Sequence, residues 1–368
     1  MHILFAGGGT AGHINPALAV ADYIKEKHPS AKISYIGTKD RLEARLVPEK
    51  NYDFYSIKVQ GIKRSLSPSG IVHNIKTVAY AVSSSVRARK LLRQLKPDVV
   101  IGTGGYVSGP VLSEAARLGI KTAIHEQNAY PGVTNKMLSS KVDRVMLAMA
   151  EAEERMRLKN KPFLTGNPVR KELTEISKAE AKAKLGFDNR PVILSFGGSL
   201  GARKINEAAV ALIKKYNGEK SFYHIHGTGK SGYNDVMNAL SNIKLDDTVR
   251  VSEYISDMDV CMAAADLVIC RAGAITLSEL AVCKKPSILI PSPFVAENHQ
   301  YHNAMTLKNA GMAEVIEEKD LTGELLISTT EKLLFDKEKL EAMSKNADKI
   351  AIDDANERIY KIIMDLMD

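Results

Sequence analysis

The sequence contains no tryptophan, and its 8 phenylalanines and 13 tyrosines leave aromatic residues at 6% of the 368 positions. Proteins that bind single-stranded nucleic acid by stacking need aromatic platforms. The formal net charge of +8 therefore does not by itself point to nucleic acid. It fits another anionic partner, an acidic lipid surface or a phosphorylated substrate. Cysteine is also scarce. Cys261, Cys270 and Cys283 are odd in number and sit within apolar segments, so reduced, buried thiols of a cytoplasmic protein are expected rather than a disulfide framework. No cluster of histidine and cysteine has metal-ligand spacing, and no metal or other cofactor is expected. No apolar run reaches the ~18 residues that span a bilayer. The N-terminus lacks a charged region followed by a long apolar stretch, so no signal peptide is expected.

What is present is a rhythm. Short β-rich runs alternate with helical patterns: "HILFA" (2–6), "KISYIG" (32–37), "DFYSIKV" (53–59), "DVVIGTGG" (98–105), "TAIHEQN" (122–128) and "DRVMLA" (143–148). "PALAVADYIKEKHP" (16–29) reads as a helix with Pro16 in its first turn. "FLTGNPVRKEL" (163–173) breaks the rhythm. A second series begins with "PVILSFGGSLGA" (191–202) and continues through "SFYHIHG", "RVSEY", "DLVICRAG", "PSILIPSP" and "MAEVIE". Strands alternating with helices imply parallel βαβ units. The expected fold is α/β, with two facing Rossmann-like domains and a cleft between them, residues 1–164 and 165–344. The charged, helical last stretch, about 345–368, is expected to pack back on the first domain. Ligands of such sheets bind beyond the carboxyl ends of the strands. The glycine loops 7–12, 102–105 and 197–201 all follow strands.

Common motif readings fail on these loops. Gly7, Gly9 and Gly12 satisfy G-x-G-x-x-G, but a dinucleotide site needs an acid at the end of the second strand. Gly37 and Thr38 stand there, and Asp40 comes a few residues late. "GTGKS" (227–231) resembles a P-loop, but His224 occupies the position of the first glycine. The plainer reading of Lys230 is a solvated residue opening a helix. "CRAGAITLSELAVCKKP" (270–286) places Glu279 within two turns of a helix start. There it either accepts from a ribose diol or stabilises the helix dipole, and spacing alone leaves both open. "PSPFVAENHQYHNA" (291–304) is either a ligand loop or a helix N-terminus capped by Asn298.

Seven motifs in order, "GGGTAGH" (7–13), "GTGGYVSGP" (102–110), "HEQNAYPG" (125–132), "TGNPVR" (165–170), "FGGSLGA" (196–202), "RAGAITLSEL" (271–280) and "PSPFVAENHQYHNA" (291–304), closely resemble the MurG family of bacterial peptidoglycan glycosyltransferases. The resemblance runs from about residue 2 to beyond residue 310. It implies a GT-B-type fold and transfer of N-acetylglucosamine from UDP-N-acetylglucosamine to a polyprenyl-linked muramyl-pentapeptide, lipid I, with inversion, giving lipid II. It also implies work at the cytoplasmic face of the cell membrane beside other cell-wall synthesis proteins. Carried over by motif, the donor is met by Thr10, Ala11, Gly12, Asn128, Arg170, Ser199, Ile255, Gln300 and the turn Ala274, Ile275, Thr276, Leu277, Ser278 and Glu279. Glu279 then lies on the ribose and Gln300 on the sugar. The acceptor or its diphosphate falls to Gly9, Gly104, Gly105 and Tyr106. Leu200 departs from the polar residue that the family often has after Ser199. A related transferase acting on diacylglycerol or an aglycone, or a non-catalytic lipid- or nucleotide-binding protein, would share the fold. Neither is expected to combine "GTGGYVSGP", "HEQN", His13 and Glu126.

The reaction implied needs a base for the acceptor hydroxyl and charge stabilisation for departing UDP. With no D-x-D motif near a strand end, Arg170, backbone amides and helix N-termini are expected to carry that charge. A lysine in place of His13 would only bind phosphate. A neutral imidazole also accepts a proton, so His13 is the favoured base. Glu126 is the competitor, or alternatively the group that holds the His13 tautomer. Finally, the acid-free segment 61–96 carries Ile71, Val72, Ile75, Val78, Ala79 and Val82 at near-helical spacing. Lys63, Arg64, Lys76, Arg87, Arg89, Lys90, Arg93 and Lys96 accompany them. Such a segment suits an anionic membrane surface, or a helix packed on the sheet with solvated bases.

Overall fold

The computed structural model describes residues 1–59 and 68–368, with side chains described outside 60–79, 81 and 82. Two compact units emerge: Met1–Pro168 together with Asp354–Asp368, and Val169–Asp353. The first contains a seven-stranded parallel sheet built from β1 (His2–Gly7), β2 (Lys32–Gly37), β3 (Asp53–Ser56), β4 (Val99–Gly104), β5 (Lys121–Glu126), β6 (Arg144–Leu147) and β7 (Phe163–Leu164). Its order is β3-β2-β1-β4-β5-β6-β7. The second contains β8 (Val192–Phe196), β9 (Tyr223–Gly227), β10 (Val249–Ser252), β11 (Leu267–Cys270), β12 (Ser287–Leu289) and β13 (Ala313–Val315), in the order β10-β9-β8-β11-β12-β13. Both sheets start at an inner strand, run outward, then jump back and run the other way. The switch points fall between β1 and β4 and between β8 and β11, which is where such sheets bind ligands.

The continuous apolar runs are explained by burial on both faces. In β1, Ile3 and Phe5 join one core with Ile14, Ala17 and Ala21 of the helix Ala11–Lys27. Leu4 and Ala6 join the other with Leu91, Leu92 and Val111. The terminal helix Ala355–Met367 adds Ile359, Ile363 and Leu366 to the first core, and Tyr360 Oη lies 2.7 Å from His28 Nε2. In the second unit Ile193, Ile269 and Ile288 of three neighbouring strands pack with Ile205 and Leu212 of the helix Arg203–Tyr216.

Several details differ from the sequence reading. The first helix begins at Ala11, not at Pro16, so Pro16 lies inside it and His13 within its first turn. Thr165 N–H donates to Leu147 O after the short β7, which the sequence reading lacked. That pairing, with His125 against Gly166 O and Asn167 against Gln127 O, carries the first unit to Pro168 rather than 164. Residues 345–353 stay with the second unit, where Asn346 Nδ2 donates to Gly311 O and Lys284 pairs with Asp348. The returning element is therefore 354–368 rather than 345–368. Of the segment 61–96, Lys63 and Arg64 lie outside the described residues, as do the side chains of Ile71, Val72, Ile75, Lys76, Val78, Ala79 and Val82. The far end of the helix Pro68–Leu95 buries Ala88, Leu91 and Leu92 on the sheet. There the exposed Arg89 also donates its Nε at 2.7 Å to the buried Glu114, which pairs with Arg117 as well.

Candidate functional site

In the first unit the loop after β1 meets the loop after β4. Gly104 and Gly105 have φ of 108° and 76°. A Cβ on Gly104 would lie 2.8 Å from the His13 ring, and one on Gly105 would lie 2.3 Å from Gly8 O. Both positions demand glycine, for conformation and for space. They let the loop 7–12 and the His13 imidazole seat against β4. Ser108 Oγ locks the turn, 2.7 Å from Ala6 O and 2.8 Å from Gly104 O, and accepts from Gly104 N–H. Tyr106 remains 63% exposed beside them.

The glycine loop already holds a carboxylate. Glu43, fully buried, accepts from Thr38 N–H at 3.0 Å, from Thr38 Oγ1 at 2.7 Å and from Gly9 N–H at 3.2 Å. Gly9, expected to offer its amide to acceptor or diphosphate, spends it on Glu43. No acid stands at the end of β2, where Gly37 and Thr38 lie. It comes instead at 43, turned inward onto the loop. Thr10, Ala11 and Gly12 stay exposed at the start of the helix Ala11–Lys27.

His13 is half-buried, and its Nδ1 lies 3.1 Å from Gln127 Oε1. Glu126 does not touch it in the way expected. The Glu126 carboxylate, 1% exposed, takes four hydrogen bonds: Asn128 N–H and Nδ2 on one oxygen at 3.0 Å each, Gly132 N–H at 3.0 Å and Asn135 Nδ2 at 2.8 Å on the other. A carboxylate that accepts four hydrogen bonds ties down the loop 126–135. The His13 ring is met by Gln127 and not by Glu126, whose carboxylate is engaged within its own loop. Asn128, expected on the donor, gives its amide to Glu126.

In the second unit the loop 197–201 leads into the helix Arg203–Tyr216, whose first turn has no acid. An N-terminus of this kind favours phosphate. Ser199 and Leu200 are exposed at the tip. The P-loop look-alike buttresses this loop. Lys230 N–H donates to Ser199 O and Ser231 N–H to Leu200 O, at 3.2 and 3.3 Å. Ile255 buries its side chain under Gly227 and so anchors the exposed turn at Tyr254.

The turn after β11 opens the helix Ala274–Val282. Ile275, Thr276, Ser278 and Glu279 lie on its partly exposed face, while Ala274 is buried and Leu277 is completely so. Leu277 therefore packs its side chain into the core, which leaves its backbone as the part that could meet a ligand. Glu279 Oε1 lies 3.3 Å from Arg170 Nε, with the two side chains 13% and 54% exposed. Burial pushes the Glu279 carboxyl above the usual carboxylate range, and Arg170 opposes that shift. Arg170, expected at the leaving group, thus faces the residue expected at the ribose. Gln300 Oε1 accepts from Ser292 N–H at 2.9 Å. Between them the chain takes two consecutive left-handed residues, Glu297 and Asn298. Asn298 makes no side-chain cap on the helix His299–Asn309, contrary to the capping alternative. Arg271 holds this loop, donating to Ile290 O and Pro291 O at 3.2 Å and pairing with Glu318. Asn303 donates to Ala272 O from the other side. Among the described residues no group of three or more His, Cys, Asp or Glu could hold a metal ion.

Two family models match the chain: the glycosyltransferase family 28 N-terminal domain over residues 3–147 and the glycosyltransferase family 28 C-terminal domain over residues 192–359. A relative from Acetivibrio thermocellus is 49% identical over 368 residues, covering 100% of this chain and 98% of its own length. One from Ruminiclostridium cellulolyticum is 46% identical and fully covered on both sides, 100% and 100%. Both are named UDP-N-acetylglucosamine--N-acetylmuramyl-(pentapeptide) pyrophosphoryl-undecaprenol N-acetylglucosamine transferase. Among solved structures, MurG of Acinetobacter baumannii superposes with a TM-score of 0.80 at 28% identity, covering 99% of each chain.

Proposed function

The chain belongs to glycosyltransferase family 28, and from that premise we propose that it transfers N-acetylglucosamine from UDP-N-acetylglucosamine to the 4-hydroxyl of undecaprenyl-pyrophosphoryl-N-acetylmuramoyl-pentapeptide. The observation that carries this reading is 49% identity, end to end, to a relative named for that reaction. The acceptor oxygen attacks the anomeric carbon as the bond from that carbon to the β-phosphate oxygen breaks, giving a β-linkage by single displacement. The electron pair leaves with UDP, and the hydroxyl proton passes to His13 Nε2. A base so placed contributes about 10²–10⁴-fold.

The first unit supplies the base, and the second supplies the donor site. Backbone amides of 197–201 and the N-terminus of the helix Arg203–Tyr216 meet the diphosphate charge. Glu279, held by Arg170, accepts from the ribose hydroxyls, and Ile275, Thr276 and Ser278 line the same face. The Nε2 end of Gln300 reads the sugar, its oxygen being committed to Ser292. No metal takes part in this scheme. The test is transfer of labelled N-acetylglucosamine to a lipid I analogue with a diacylglycerol acceptor in parallel. Transfer to diacylglycerol alone would overturn the reading.

A lipid acceptor also supports peripheral attachment to the cytoplasmic face of the membrane. Among the described residues no helix is long and apolar enough to cross a bilayer. The basic segment 61–96 is the proposed contact, each juxtamembrane base adding about 1 kcal/mol at an anionic surface. Changing Lys63, Arg64 and Lys76 together to Glu should release the protein from anionic vesicles in a sedimentation assay without altering UDP binding. Retention at high salt would move the contact elsewhere.

A further inference from the structure

Behind His13 lies a chain of buried side chains. Gln127 is 1% exposed and His125 is 2% exposed. His125 Nε2 lies 2.9 Å from Gly166 O, and Gln127 Nε2 lies 3.1 Å from His125 Nδ1 and 3.0 Å from His125 O. Asn167 Nδ2 donates to Gln127 O at 3.2 Å and fixes the backbone of the same residue.

The protons along this chain have one consistent arrangement. A carbonyl oxygen only accepts. Gly166 O therefore requires the proton of His125 on Nε2, which makes Nδ1 of the neutral ring an acceptor. Burial holds the His125 imidazole below its usual pKa, consistent with the neutral ring. His125 O and His125 Nδ1 then both need donors, and the two hydrogens of the Gln127 amide nitrogen supply them. This fixes which way the amide points. Its oxygen faces His13 Nδ1 at 3.1 Å. Because that oxygen only accepts, His13 must carry its proton on Nδ1 and leave the Nε2 lone pair open.

From this geometry we infer that Gln127 is a positioning residue, which with His125 as its anchor holds His13 in the Nδ1–H tautomer that can accept a proton at Nε2. The opposite tautomer would present N–H to the acceptor hydroxyl and could not take its proton. The inference rests on the proposed role of His13 as base. It also gives the segment "HEQN" a division of labour: Glu126 ties the loop, and Gln127 sets the base.

The tautomer is readable without substrate. The full chain, labelled with ¹⁵N in its histidine rings, is observed by long-range ¹H–¹⁵N correlation at a pH that keeps the imidazoles neutral. The His13 signals are assigned by their loss in His13→Ala. The expected spectrum shows His13 protonated on Nδ1. A His13 protonated on Nε2 in the wild-type chain overturns the inference with no variant needed. Gln127→Glu and Gln127→Leu both lose the two bonds donated to His125, but only Glu keeps an acceptor facing His13. Glu should therefore retain the Nδ1–H tautomer and Leu should lose it. With donor KM similar in the two, kcat of the Glu variant should exceed that of the Leu variant by about tenfold or more, a share of what a general base contributes. Equal tautomers and equal kcat in the two variants would reduce Gln127 to packing and refute the inference. Failure of the wild-type chain to transfer N-acetylglucosamine to the lipid I analogue counts against the proposed activity alone, because the spectrum decides the tautomer independently.

Discussion

Replacing Glu126 by glutamine separates a structural carboxylate from a catalytic one. Each oxygen of Glu126 accepts two hydrogen bonds inside the protein. A glutamine keeps one oxygen and turns an NH₂ group against two donors on the other side. Two hydrogen bonds to a charged acceptor are lost, each worth about 1.5–3 kcal/mol. Local rearrangement keeps the total near the low end, about 3 kcal/mol. For a unit of this size that corresponds to a fall of about 6–12 °C in melting temperature. His13→Ala touches a half-buried ring with one protein partner and should shift melting by only about 2 °C or less. Its kcat should fall about 10²–10⁴-fold at every temperature. The assay is thermal unfolding followed by circular dichroism, alongside kcat measured well below both midpoints. Glu126→Gln should melt early yet keep most of its kcat at low temperature. Unchanged melting with a kcat loss of two orders or more would return the base to Glu126 and refute the reasoning from hydrogen-bond saturation.

Glu279→Gln should weaken UDP and UDP-N-acetylglucosamine alike while raising the melting temperature of the second unit near neutral pH. The folded pKa of Glu279 is raised by burial, so its ionised form costs stability that is regained only as pH falls below it; unchanged UDP inhibition would count against the ribose role. Gln300→Ala should raise the KM for UDP-N-acetylglucosamine and relax discrimination against UDP-glucose, with UDP inhibition unaltered. An equal loss of UDP affinity would make its bond to Ser292 purely a loop tie. His224 and His226 flank Ser195 Oγ at 2.7 Å each, and burial depresses them to about 3 and about 4. The second unit should therefore hold its stability above about pH 6.5 and lose it progressively toward pH 4. Urea midpoints across that window should fall less steeply in His224→Val, and an identical slope would place the acid sensitivity elsewhere.

The strands were legible because each is a short apolar run ending in glycine or a polar turn, and both sheets bury their strands on two faces. The two-residue β7 was not, because Phe163 and Leu164 pair with only one neighbour, Met146 and Leu147. His13 and Glu279 stood out as titratable residues at strand-to-helix turns. Glu43 did not, because nothing in "KDRLEARL" signals that an acid folds back onto a loop more than thirty residues upstream. Gln127 was passed over for its neighbours Glu126 and Asn128, since an amide carries no charge to mark it. The burial of the Leu277 side chain was legible too, since its spacing from Ala274, Leu280 and Ala281 is that of a buried helix face. Motif membership marks a segment. Only packing decides which of its residues face the ligand.

The two units share a strand order, but they use the loop at their switch point differently. In the second unit the loop after β8 is stiffened from behind by backbone bonds from Lys230 and Ser231 and by Gly229 packed closely on Gly201, and its tip, Ser199 and Leu200, stays exposed. That arrangement leaves the positive end of the helix uncommitted to any acid in its first turn, as the proposed diphosphate role needs. In the first unit the loop after β1 has its Gly9 amide taken by Glu43, a buried acid of the protein itself. A second phosphate brought to that amide would meet a carboxylate already in place, so the loop is poorly suited to the task that its glycines suggest. The glycines instead allow close approach. Gly105 packs on Gly8 and Gly104 on the His13 ring, and the imidazole is pressed between β4 and the amide of Gln127. The histidine that ends "GGGTAGH" is thus what the loop is built to hold. Exchanging Glu43 for Gln tests this directly: Gln keeps the bond from Gly9 at one oxygen, but its NH₂ cannot accept from Thr38. His13 should lose its fixed position, lowering kcat with the KM for UDP-N-acetylglucosamine unchanged. A rise in donor affinity in its place would mean that the loop is a phosphate site after all, with Glu43 as its occupant.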